Sequence, residues 1–83
     1  MPYIAQTDRE QFQEIGLMQV ETAGELQYCI ALLIKQYEKS VTGRMRYQNM
    51  NDVMGALNGA NLEYYRRSVA PYEDECIRKN GDV

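Results

Sequence analysis

Tyr64, Tyr65, Arg66 and Arg67 stand in one block of this sequence, with Tyr72 a little beyond, and Arg44, Arg46 and Tyr47 offer the same chemistry earlier in the chain. Tyrosine supplies a flat ring and a hydroxyl, and arginine supplies a planar fork that matches phosphate oxygens. The pair suits an aromatic ring that carries phosphates, with the base stacked and the anion clamped. Asn49 and Asn51 follow the first set closely and can read polar ring edges. The candidate ligand-binding residues are therefore Arg44, Arg46, Tyr47, Asn49, Asn51, Tyr65, Arg66 and Arg67. Consecutive helical positions point in different directions, so the second block cannot serve one face. Tyr64 falls on the apolar stripe of its helix, which leaves Tyr65 and the two arginines to look outward. A plainer use stays open. Tyrosine and arginine are enriched at protein interfaces, and the acids Glu73, Asp74 and Glu75 can satisfy the arginines within the chain.

Catalytic chemistry is sparse by comparison. The chain has no histidine to serve as base to a serine or cysteine nucleophile. It has neither a glycine-rich phosphate loop nor a dinucleotide fingerprint. Glu10 with Glu14, and Glu21 with Glu25, lie four apart, a spacing that can mark a magnesium site. No Glu-x-x-Glu spacing occurs, although dense repeats of it mark the all-helical nucleotide pyrophosphohydrolases. Capping is the plainer account of Glu10 and Glu25. Cys29 and Cys76 are far from zinc-ligand spacing. The expectation is a non-enzymatic protein with no metal and no cofactor.

The elements that must position these residues read as helices. Thr7 with Glu10 and Thr22 with Glu25 each fit a capping box, in which the hydroxyl accepts from a free amide and the carboxylate reaches back. The first box predicts a short helix ending between Gly16 and Met18. The second predicts a helix from about Ala23 to Lys39, with Leu26, Ile30, Leu33 and Tyr37 at helical spacing. Cys29, Ala31, Leu32 and Ile34 widen that stripe until the helix is apolar nearly all round. Such a helix must be covered on more than one side, by its own chain or by another subunit.

Residues 40–51 form the main connection, and Asn49 or Asn51 can cap the next helix. That helix should reach about Val69, with Val53, Leu57, Ala60 and Tyr64 on one face. Gly55, Ala56, Gly59 and Ala60 make a small-residue patch fit for close helix packing or for a ligand. Pro71 stops or kinks the helix, because it has no amide and crowds the preceding turn. A last helix from Pro71 to Lys79 should end at Asn80-Gly81. The best strand candidate, Val41 to Tyr47, alternates only loosely. The expected architecture is all-α: one domain, 1–83, of three to four short helices.

A chain of this length hides only roughly 60% of its unfolded surface on folding, and disulfides, a metal or another copy usually make up the difference. With the first two discounted, a homo-oligomer is expected. The longest apolar run, Cys29 to Ile34, is far shorter than a membrane span, and no secretory segment is evident. A soluble, cytoplasmic protein is therefore expected. Charge is uneven along the chain. Positions 8–25 hold five acids against Arg9, positions 35–67 hold six bases against three acids, and positions 68–83 hold four acids against two bases. The formal net charge of -3 speaks against nucleic acid as a partner. The basic middle can bind a small anion or pair with the acidic start of another subunit.

Several segments resemble a family of small uncharacterised proteins from bacteriophages and microbial genomes. They are Tyr47-Gln48-Asn49, Asn51-Asp52-Val53, Tyr64-Tyr65-Arg66-Arg67, Ala70-Pro71-Tyr72-Glu73-Asp74 and Asn80-Gly81-Asp82-Val83. Met1-Pro2-Tyr3-Ile4 and the 21–26 block look similar too, so the likeness spans nearly the whole chain. Cys76 and Asn58-Gly59 depart from the commoner residues, which argues against a shared catalytic role for Cys76. The resemblance implies a viral or mobile-element origin and no particular activity. By analogy alone, phages encode small oligomers that sequester cyclic nucleotides made by host defences. The expected function is sequestration of such a nucleotide-derived signal between subunits, an anti-defence role. The alternative is a phage accessory protein that binds and modulates a host protein, with the acidic stretch from Asp8 to Glu25 as its contact surface.

Overall fold

The computed structural model describes residues 4–83, with the side chain of Leu17 left aside. The first three residues of the Met1-Pro2-Tyr3-Ile4 segment lie outside the described residues. The described residues are helical throughout, with connecting turns and no strand. Three α-helices carry the fold: α1 (Ala23–Ser40), α2 (Tyr47–Tyr64) and α3 (Ala70–Asn80). None of the helices among the described residues is long and apolar enough to cross a membrane.

The N-terminal arm departs from expectation. It winds as two tight 3₁₀ segments, Gln6–Asp8 and Glu10–Leu17, rather than as an α-helix capped by Thr7. An N-cap residue must be extended for its hydroxyl to meet a free amide. Thr7 instead lies inside the first 3₁₀ turn, so the Thr7–Glu10 box does not form. The arm is tied locally, with Arg9 Nε donating to the Ile4 carbonyl at 2.8 Å. It ends with the Met18 amide on the Ile15 carbonyl at 3.1 Å, within the expected stretch.

The start of α1 is as the sequence predicts. Thr22 is extended (φ -125°, ψ 158°), and its Oγ1 accepts from the Glu25 amide at 3.1 Å. Glu25 Oε1 reaches back to the amides of Thr22 at 3.1 Å and Glu21 at 2.8 Å. These bonds favour the charged carboxylate and hold the Glu25 pKa below its ordinary value, with the Glu21 amide the largest cause. Past Ser40 the chain turns through residues 41–46, where Gly43 takes φ +81°, a conformation that favours glycine. Helix α2 then begins at Tyr47, earlier than an Asn49 or Asn51 cap would give. Arg46 is the flanking residue, and its amide donates to Asn49 Oδ1 at 3.0 Å. Asn49 thus serves the helix start from inside it.

Of the two outcomes expected at Pro71, a stop or a kink, the chain takes the kink. Between α2 and α3 the helix widens into a π turn over Tyr65–Val69, where the Ala70 amide donates to the Tyr65 carbonyl five residues back. Pro71 sits at the first turn of α3, where a missing amide costs least. The extra residue in the turn also eases the crowding that the ring would impose on a regular helix. The third and fourth helices foreseen from the sequence are therefore one bent rod from Tyr47 to Asn80. Gly81 ends it at φ +87°, its amide on the Ile77 carbonyl at 2.7 Å. A rod of that length accounts for the long 54 Å dimension of the molecule.

The elements are laid out without a core. Helices α1 and α2 form a hairpin around the 41–46 turn yet scarcely touch one another. Not one described residue is buried, and Leu26, Leu32, Leu33, Met50, Met54 and Leu62 all count as exposed. The chain exposes 7811 Å², whereas a compact monomer of its mass would expose roughly 5,100 Å². Its radius of gyration is 16.7 Å, against roughly 12 Å for a compact domain of this length. Gly55 and Gly59 face open space: a Cβ added at either would meet nothing within 4 Å. The close packing expected at the small-residue patch does not occur within the chain.

Candidate functional site

Two places in this layout have the makings of a site: the polar block at the π turn and the apolar groove of the hairpin. At the π turn, Glu63 closes from the last turn of α2 onto both arginines. Arg66 Nη2 donates to Glu63 Oε1 at 3.0 Å, and Arg67 Nε donates to the same oxygen. The spacings are three and four residues, the ordinary neighbours on a helix surface. Of the acids that were expected to satisfy the arginines, Glu73 accepts from the Tyr65 hydroxyl and Glu75 pairs with Arg78 at 2.6 Å.

The Tyr65–Glu73 bond depends on the π turn. Residues eight apart in a regular α-helix are turned roughly 80° from one another. The additional residue in the wide turn brings position 73 back onto the face of position 65. The Glu73 carboxylate then favours the neutral phenol and raises the Tyr65 pKa above its ordinary value. The hydrogen bond is the leading cause and the charge of Glu73 the next.

The other candidate residues lie at the far end of α2. Arg44 and Arg46 belong to the 41–46 turn, Tyr47 opens the helix and is 78% exposed, and Asn51 is exposed on the first turns. Asn49 is half-buried and occupied at the helix start. Tyr47 and Tyr65 are 18 residues apart on one continuous helix, about 27 Å at 1.5 Å per residue. A single chain therefore keeps the two sets of tyrosine and arginine apart, and no nucleotide-sized molecule spans that gap. Tyr64, expected in the core stripe, is 65% exposed and lies beyond the end of the hairpin groove.

That groove is the apolar feature that sequence reasoning left without a location. Ile30, Leu33, Ile34 and Tyr37 form one wall, and Val53, Ala56, Leu57 and Ala60 form the other. It encloses about 360 Å³, and Asp52 is its one charged lining residue. The helical spacing on both walls was legible in the sequence. That the walls would stand apart instead of closing on each other was not. A second hollow, between Met18 and Val20 of the arm and Tyr28 and Cys29 of α1, lies on the opposite side of α1. Among the described residues no group of three or more Cys, Asp or Glu stands close enough to hold a metal ion. Both cysteines are free and half-buried.

Compared with known proteins, the sequence matches one family model over residues 1–83, that of the domain of unknown function DUF6899. The chain belongs to this family. No curated protein and no solved structure matches it.

Proposed function

We propose that the protein works by binding rather than by catalysis, as one subunit of a homo-oligomer that holds a small nucleotide-derived anion where subunits meet. The observation that carries this reading is the open hairpin. Two apolar helix walls face a groove, no described residue is buried, and the surface exceeds that of a compact monomer by about half. A chain of this size with an uncovered apolar interior gains most of its stability from a partner. The separation of the tyrosine and arginine sets by about 27 Å supports a ligand site shared between subunits over one within a chain.

The Glu63 pairing of Arg66 and Arg67 is compatible with anion binding. Exposed ion pairs of this kind contribute only about 0–1 kcal/mol. A phosphate that offers three oxygens and more charge can displace one carboxylate oxygen shared between two guanidinium groups. Tyr65 or Tyr47 would stack the base, with Asn51 at a polar ring edge. Sequestration as the purpose is taken by analogy with small phage oligomers, not from the family resemblance. Native mass spectrometry of the full chain with a panel of cyclic mono- and dinucleotides tests the reading. An oligomer that gains one ligand mass per site, and loses that gain in Arg66→Gln and Arg67→Gln while its own mass persists, is the expected result. An oligomer indifferent to every nucleotide sinks the ligand. It would favour modulation of a host protein through the acidic arm.

A further inference from the structure

We infer that the α1–α2 groove is covered by the same groove of a second copy of this chain, laid antiparallel across a two-fold axis near Ala56 and Leu57. The inference rests on the subunit reading above and gives it a partner, a face and a direction.

Three observations converge on a second copy. The first is area. The chain exposes roughly 2,700 Å² more than a compact monomer of its mass, and obligate homodimers bury about 2,000–5,000 Å² in total. A face-to-face pair of hairpins has that capacity, whereas a short peptide in the groove has not. The second is charge. The turn end of the hairpin carries Lys35, Lys39, Arg44 and Arg46 against Glu38 and Asp52, while the opposite end carries six acids, the five of the arm and the start of α1 with Glu63, against Arg9, Arg66 and Arg67. Parallel hairpins would gather both basic ends together. Antiparallel hairpins set the basic end of each against the acidic end of the other, and like-charge contact is the arrangement that interfaces avoid. The third is self-complementarity. A two-fold pair requires one patch to match itself. The groove does so, because Ala56 and Ala60 let α2 approach its own copy closely while the bulky α1 wall fills the wider space beside it.

The register has a consequence for the polar sets. With the axis near Ala56, position 47 of one copy lies level with position 65 of the other. Arg44, Arg46 and Tyr47 of each chain then stand at the level of Tyr65, Arg66 and Arg67 of the second. The two sets that one chain holds apart come level twice in the pair, once at each end, where Glu63 and a bound anion would offset the gathered arginines.

Size-exclusion chromatography with light scattering on the full chain tests the partner and the face together. Wild type is expected at twice the chain mass. Asn58→Glu, exposed and on the far side of α2 from the groove residues, should keep that mass, and Ala56→Glu in the groove should lose it. A disulfide test covers the case in which Ala56→Glu does not fold. In a Cys29→Ser, Cys76→Ser background, Val53→Cys and Ala60→Cys should each fail to cross-link alone and should form a mixed dimer when combined. A wild-type monomer at every concentration overturns the subunit reading and this inference with it. A dimer that survives Ala56→Glu, or in which Val53→Cys links to itself, overturns only the face or the direction and leaves the subunit reading standing.

Discussion

Truncating Leu33 to alanine separates a chain that is stable alone from one completed by a partner. Leu33 lies in the middle of the groove wall and keeps 43% of its surface exposed. Full burial of a leucine is worth about 1.5–3 kcal/mol. In an isolated chain slightly more than half of that is realised, so Leu33→Ala should cost about 1 kcal/mol. In a groove closed by another copy the side chain is wholly covered and the truncation leaves a cavity, which costs about 2–5 kcal/mol per site. The two-fold axis counts the loss twice, so a dimer should lose roughly 4–10 kcal/mol. Urea unfolding followed by circular dichroism, at two protein concentrations a hundredfold apart, reads both quantities. The wild-type midpoint should rise with concentration, because association is part of its stability. The variant should lose several kcal/mol and turn monomeric at the lower concentration. A loss near 1 kcal/mol with midpoints independent of concentration refutes the argument.

Two further outcomes follow from the polar details. The Glu25 pKa is depressed in the folded chain, so its contribution is present above the unfolded carboxylate value near 4.3 and disappears as pH falls through the lower folded value. Helicity followed from pH 7 to pH 2 should drop along an acid limb that Glu25→Gln flattens, while Thr22→Ala should cost about 1 kcal/mol at every pH. An unchanged acid limb in Glu25→Gln would assign the loss to other carboxylates. Tyr65 is raised by its bond to Glu73, so the neutral phenol stabilises the fold below the unfolded value near 10 and that support is lost as pH rises through the raised one. Ultraviolet titration should show a late phenol ionisation that moves to lower pH in Glu73→Gln. Identical titration curves for wild type and Glu73→Gln would contradict the Tyr65–Glu73 bond.

What was legible in the sequence was whatever a few neighbouring residues decide. The Thr22–Glu25 box located the start of α1 to the residue, and the helical spacing of Ile30, Leu33 and Tyr37 marked the wall they form. The same reasoning failed at Thr7, where the residue pattern was right but the backbone was not extended. Pairings at three and four residues, such as Glu63 with Arg66 and Arg67, were available from spacing alone. The acids at 73–75 offer the same arginines competing partners in the sequence, and only the fold decides between them.

The Tyr65–Glu73 bond was hidden for a different reason, and Pro71 is at its root. Proline reads as a stop or a kink because it removes one amide and crowds one carbonyl. A helix can absorb both by taking one extra residue into a wide turn, and that extra residue changes which side chains share a face from there onward. Every inference drawn with 100° steps across positions 65 to 69 is therefore offset on the far side. Glu73 comes onto the Tyr65 face, and the acids after Pro71 divide their partners in a way that regular spacing does not describe. The candidate residues before the turn keep their regular relation to the groove, and those in and after it do not. A single residue inserted or removed between Tyr65 and Val69 should accordingly disturb the polar end of the rod while leaving the hairpin groove intact.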